Sequence, residues 1–152
     1  MIDDLLEADL PAALAIDLAS FTEGPKEPAA RETQLRDELA RGWAYLRAAR
    51  RDDTRALVGY CLFWHVLDEI HLLNVAVEPA SRRCGLGRAL LLDMLAWGHT
   101  HAMAKVILEA RAGNTAALAL YASHGFERIR VRKGYYDDGE DGIEMIYEFP
   151  IA

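Results

Sequence analysis

Apolar stretches broken by turn residues run the length of this chain, and their period switches between that of a strand and that of a helix. Residues 57–64 and 70–77 are short and mostly apolar, and read as strands. Residues 43–49 and 105–111 read as strands too, and Arg51-Asp52-Asp53-Thr54 joins the first of them to 57–64 as a hairpin. A short strand to Leu6 and another over 126–131 complete the set. Helical spacing marks four segments. The first runs 9–19, with Asp9 as cap and Pro11 in the first turn; the second runs 31–41 and stops at Gly42. The third covers 88–97, and the fourth covers 115–123, capped by Asn114 and ended at Gly125. Residues 21–30, with Gly24, Pro25 and Pro28, read as loop, and Asp137-Asp138-Gly139 is turn chemistry. The sum is α/β: one domain over 1–152, a mixed central sheet flanked by helices, with no repeat or linker.

Between strand 70–77 and helix 88–97 lies Arg82-Arg83-Cys84-Gly85-Leu86-Gly87. Backbone N–H groups at a helix start lack intrahelical partners, and the helix dipole favours negative charge there. Gly85 and Gly87 allow close approach of a ligand, and Arg82, Arg83 and Arg88 add forks suited to phosphate. The segment is a candidate pyrophosphate seat. It lacks the Lys-Ser or Lys-Thr of a P-loop, and Leu90 replaces the last glycine of a dinucleotide fingerprint.

The pattern R-x-x-G-x-G resembles the coenzyme A loop of the GNAT superfamily of N-acetyltransferases. Two later segments extend the likeness. Leu108-Glu109-Ala110-Arg111, Asn114, Ala117-Leu118-Ala119-Leu120-Tyr121 and Gly125-Phe126 resemble the second half of that fold, nearest to the bacterial ribosomal-protein-alanine (RimI) type. The tail Arg132-Lys133-Gly134-Tyr135-Tyr136, then Glu140-Asp141 and Met145, resembles the ending of the same type. The resemblance implies a GNAT fold with a mostly antiparallel sheet, acetyl-CoA as cosubstrate, and direct acetyl transfer to an amine.

It also implies roles for particular residues. Glu109 falls on the base of the type, and partial burial in an apolar strand would favour that use; by itself it reads as a carboxylate paired with Arg111. Tyr121 falls on the general acid, although a tyrosine near a helix end is commonly a core residue with its hydroxyl at the rim. Val75, Ala76 and Val77 fall on the strand whose backbone receives the pantetheine arm, and Asn114 on a cofactor contact that capping alone would also explain. The loop residues Arg82, Arg83, Cys84, Gly85, Leu86, Gly87 and Arg88 fall on the phosphate seat, Cys84 incidentally. Tyr135-Tyr136 and Glu140-Asp141 could line a peptide groove. One departure from the type bears on the acceptor: Phe21 is followed by Thr22-Glu23-Gly24-Pro25 instead of Pro-Trp; Ala110 in place of valine and Gly113 where serine is common leave the chemistry intact.

Composition narrows the alternatives. Of 152 residues, 52% are apolar and 27% charged, which suits a soluble globular domain, and no apolar run approaches membrane-span length. Two cysteines without metal spacing suggest a reduced, cytoplasmic protein with no metal site. The net charge of −7 disfavours nucleic acid and suits a cationic acceptor; the basic run 128–133 reads as a solvated strand face. The acceptor expected is a peptide or protein N-terminus, such as that of a small-subunit ribosomal protein. The rivals are a GNAT acting on a small amine or polyamine, and a non-catalytic acetyl-CoA-binding module. The oligomeric state stays open.

Overall fold

The computed structural model describes residues 1–21 and 24–151, and their strands form one seven-stranded sheet. In chain order the elements are β1 (Ile2–Asp4), a 3-10 turn (Glu7–Asp9), α1 (Leu10–Ser20), α2 (Pro28–Ala40), β2 (Ala44–Arg50), β3 (Leu57–Val66) and β4 (Glu69–Val77). A second 3-10 turn (Pro79–Ser81) leads to α3 (Leu86–Thr100), β5 (Lys105–Arg111), α4 (Thr115–Ser123), β6 (Glu127–Arg132) and β7 (Gly142–Glu148). The sheet order is β1-β2-β3-β4-β5-β7-β6, and every neighbouring pair is antiparallel except β4 with β5.

The continuous apolar run of β3 is explained by a core on each face of the sheet. Val58, Cys61 and Phe63 point to one side, where they meet Leu90, Leu91 and Met94 of α3 and Leu118 and Tyr121 of α4. Leu57, Tyr60 and Leu62 point to the other, against Leu10, Ala13 and Ile16 of α1 and Leu35 of α2. Each fully buried large apolar side chain contributes about 1.5–3 kcal/mol, so α1–α2 and α3–α4 clamp the sheet from opposite sides.

Three expectations are corrected. The second helix begins at Pro28, three residues earlier than the sequence suggests, because proline at the first helical position lacks only an N–H that would have no partner there. Asp9 stands at the N-terminus of α1 but does not cap it: its carboxylate accepts from the Leu6 N–H at 2.8 Å and from Arg50 at 2.8 and 2.6 Å. The third helix begins at Leu86, inside the proposed anion loop, and runs on to Thr100.

The site is made where β4 and β5 part. They pair only from Glu69↔Lys105 to Leu72↔Leu108. Immediately beyond, the β3–β4 register slips between Leu62↔Asn74 and Phe63↔Leu72, leaving Leu73 as the extra residue of a bulge. A bulge bends its strand and sharpens the local twist. From there β4 follows β3 away from β5, and the sheet opens as a wedge in its own middle.

Candidate active site

The wedge opens into a cleft of about 690 Å³, bounded by β4 and β5, by the end of α1 and start of α2, by α4, and by the segment between β6 and β7. Its edge on β4 is chemically unfinished. The Glu78 N–H bonds Val58 O of β3 at 2.8 Å, so by strand alternation the main-chain groups of Ala76 also face β3, while those of Val75 and Val77 face the wedge. Ala76 O lies on β3: a Cβ added at Gly59 would come 2.8 Å from it. The Val77 carbonyl accepts from Arg82 Nε at 3.1 Å.

At the outer mouth stands the loop of residues 82–88. Gly85 adopts φ +77 at the N-cap of α3, a conformation glycine allows without strain, and Arg83 also has positive φ. Among the described residues no backbone acceptor takes the N–H groups from Arg83 to Arg88, which leaves them open at the start of α3. The three arginines differ. Arg82 turns inward onto Val77 and reaches Ser20 Oγ at 3.5 Å, which ties the loop to β4 and α1. Arg88 Nε sits 3.2 Å from His124 Nε2 of α4, and Arg83 is exposed. Cys84 is exposed, its sulfur 3.7 Å from Arg82 O. Leu86 and Gly87 occupy the first turn of α3, with Leu120 Cδ2 3.6 Å from a Cβ built at Gly87. The loop lies outside the lining of the cleft itself.

Glu109 and Tyr121 reach the cleft from opposite faces of the sheet. On β5, Val106, Leu108 and Ala110 enter the α3–α4 core, which sends Ile107, Glu109 and Arg111 to the other face. Tyr121 belongs to the α3–α4 core and is 7% exposed. Burial pushes its hydroxyl well above the ordinary tyrosine range, so it stays protonated at neutral pH. Among the described residues its hydroxyl has no hydrogen-bond partner. Asn114 also lines the cleft, and its side-chain oxygen caps α4 by accepting from Ala117 N at 3.2 Å.

Glu109 is not the isolated carboxylate of an apolar strand. Arg132 Nε stands 3.0 Å from its Oε1, and the nearness of the Glu109 carboxylate raises the Tyr135 hydroxyl above its ordinary range. Arg111, the partner suggested by spacing on β5, instead pairs with Asp138 and Glu140 at 2.8 Å each and lies 4.1 Å over the Tyr136 ring. Glu140 and Asp141 therefore do not reach out to a substrate charge. Glu140 accepts from Gly113 N at 2.8 Å, and Asp141 holds Lys133 and Gly134 N. These bonds set the segment that carries Tyr135 and Tyr136 into the cleft wall. A Cβ at Gly113 would stand 2.6 Å from Glu140 Oε2, so a larger residue there would make the Glu140 side chain shift.

One part of the wall was not visible in the sequence. Arg31 Nε donates to Asp17 Oδ2 at 2.8 Å, its Nη groups bond the Asp17 and Phe21 carbonyls at 3.2 Å, and Tyr60 OH donates to Asp17 Oδ1 at 2.7 Å. Asp17 and Arg31 are 7% and 5% exposed; removing one member of such a pair costs about 3–5 kcal/mol. The network anchors both ends of the departing loop 21–25, whose Thr22 and Glu23 lie outside the described residues. An acid at 17 and a base at 31 are the only sequence signal, and neither spacing nor periodicity links them. Among the described residues no cluster of side chains could hold a metal ion, and no helix is long and apolar enough to cross a membrane.

A sheet split at its centre, with an amide cradle at one mouth and a carboxylate and a phenol on its walls, has the construction of an acyltransferase. Residues 8–126 match the family model of the acetyltransferase (GNAT) family, and this chain belongs to that family. The ribosomal protein bS18-alanine N-acetyltransferase of Escherichia coli is 35% identical over 147 residues, spanning 95% of this chain and 94% of the relative. The crystal structure of the Escherichia coli ribosomal-protein-S18-alanine N-acetyltransferase superposes with a TM-score of 0.85 at 33% identity, covering 100% of this chain and 95% of that one. A ribosomal-protein-alanine N-acetyltransferase from Brucella melitensis superposes with a TM-score of 0.83 at 25% identity, covering 98% and 99%. The chain is thus an N-acetyltransferase of RimI-like sequence, and the α/β fold expected from its motifs is the one it has.

Proposed function

We propose that this enzyme transfers the acetyl group of acetyl-CoA directly to the α-amine of a protein or peptide N-terminus, with an alanine-starting ribosomal protein as the leading acceptor. The observation that carries the reading is the convergence of Glu109 and Tyr121 on one cleft from opposite faces of the parted sheet. Residues 1–152 act as a single N-acetyltransferase domain, in the cytoplasm, where Cys61 and Cys84 stay reduced.

The residues present fit acetyl-CoA. The free amides of 83–88 suit its pyrophosphate, with Arg83 and Arg88 near by, and the unpaired edge of β4 at Val75 and Val77 suits the pantetheine arm as an added strand. Ala76 backs that edge from the β3 side, and Asn114 lines the wall across from it. Bound there, acetyl-CoA supplies the activated acyl group.

The chain's own residues do the rest. Glu109 receives the proton of the acceptor amine, through a water. An α-amine ordinarily titrates near ~8, against ~10.4 for lysine, so it needs less help to become nucleophilic. The Val75 N–H is a donor for an acyl oxygen gaining charge. Tyr121, kept protonated by burial, gives its proton to the leaving sulfur. Tyr135 and Tyr136 give the acceptor chain an aromatic wall.

The test is thiol release from acetyl-CoA with an alanine-starting peptide, its N-terminally blocked copy, and free polyamines. Turnover that needs the peptide's free α-amine is the expected result. Preference for polyamines would move the acceptor to small amines, and tight acetyl-CoA binding without turnover on any acceptor would make the chain a binding module.

A further inference from the structure

Glu109 of β5 and Glu144 of β7 are register partners, so two carboxylates stand side by side on the sheet face that bears the cleft. Like charges placed opposite each other destabilise a strand pair. Glu144 is also only 8% exposed, which leaves little water to screen it. A counter-charge comes from the edge of the sheet. Arg132 of β6 reaches across β7, with Nε 3.0 Å from Glu109 Oε1 and Nη2 donating to Glu144 Oε2 at 3.2 Å. Arg130, the register partner of Glu144, adds a looser contact at 3.6 Å.

The reach depends on Gly142, which lies opposite Arg132 on β7. A Cβ at Gly142 would stand 3.0 Å from the Tyr135 ring, so its absence lets that ring lie over β7 beside the Arg132 guanidinium, 5.7 Å from it. Neither Arg132 nor Glu144 lines the cleft, so any effect of theirs on the reaction passes through neighbours that do, Glu109 and the Tyr135 ring over which Arg132 lies at 5.7 Å. The basic run of the sequence is thus a solvated face at Arg128, Arg130 and Lys133, while Arg132 turns to Glu109 and Glu144.

We propose that Arg132 and Glu144 are positioning residues for Glu109. Glu144 accepts from Nη2 of the guanidinium, and Nε on that same edge then stands against Glu109 Oε1 at 3.0 Å, an ion-pair contact without hydrogen-bond geometry that holds the carboxylate at the cleft wall. The proposal rests on Glu109 acting as the base.

The experiment is a set of single and double variants assayed for thiol release at saturating acetyl-CoA and peptide. Glu144→Gln should lower kcat about tenfold, and Arg132→Gln about tenfold or more, within the range that misplacement of a catalytic group produces. The KM for acetyl-CoA should not move. Arg132→Lys should recover part of the loss, since it keeps the charge without the guanidinium's paired contacts to both carboxylates. In a Glu109→Gln background, Arg132→Gln should have no further effect on kcat. Full additivity of those two losses, or a normal kcat in both Glu144→Gln and Arg132→Gln, would overturn the positioning role alone. A Glu109→Gln enzyme with undiminished kcat would instead remove the base, and this proposal with it. Melting temperatures of all variants separate these outcomes from simple unfolding.

Discussion

Tyr121 shows how one side chain can serve the core and the chemistry together. Its ring packs 5.6 Å from that of Phe126 in the α3–α4 core, while the residue still forms part of the cleft wall. Burial raises its hydroxyl pKa, so the neutral acid persists through the pH range below about 10, the ordinary tyrosine value. Tyr121→Phe should therefore lower kcat by roughly 10²-fold or more, the contribution of a positioned general acid, with little change in KM. The wild-type rate should show no falling basic limb from this group below about pH 10. Steady-state thiol release across pH checks both, and an undiminished kcat in the variant would take Tyr121 out of the reaction. The position of Tyr121 on a helix near its end was legible from spacing. What Glu109 meets was not: Arg132 follows it by 23 residues, on a strand that is not even its neighbour in the sheet. Pairings of that kind arise from sheet order, which no local period encodes.

Among the elements, the turn entering α3 carries the most specific expectation. Leu120 at 3.6 Å is an ordinary contact for a Cβ at Gly87, so the fold has room for a larger residue there. Gly87→Val should keep the melting temperature close to that of the parent and weaken acetyl-CoA binding by roughly tenfold or more, because the added branch crowds the amide cradle. Calorimetric titration with acetyl-CoA measures this, and parental affinity would disprove the seat. Most elements could be read from their apolar period, and Asn114 and Gly125 cap and stop α4 as their chemistry suggests. Two could not. The start of α2 was hidden by Pro28, which reads equally as loop. Strand β7 was hidden because Glu144 interrupts its apolar face, and the carboxylate is tolerated only through Arg130 and Arg132 on β6.

For the molecule as a whole, the decisive fact is that the middle of the sheet is its least complete part. Two cores, one under α1–α2 and one under α3–α4, hold the halves in place while β4 and β5 share only four register pairs. The resemblance could imply such a fold, but the point of parting is set by the bulge at Leu73, an apolar residue with nothing unusual in its own sequence. Hydrogen exchange should expose the result. Amides deep in a sheet ordinarily exchange slowly because each is engaged by a neighbouring strand. The Val75 and Val77 amides lie on the central strand of seven, yet they face the opening and should exchange as fast as those of an edge. Saturating CoA should slow these two selectively, as measured by exchange-detected NMR, and protection already present without ligand would contradict the open wedge. The most interior strand of this protein thus behaves, on one side, as a surface.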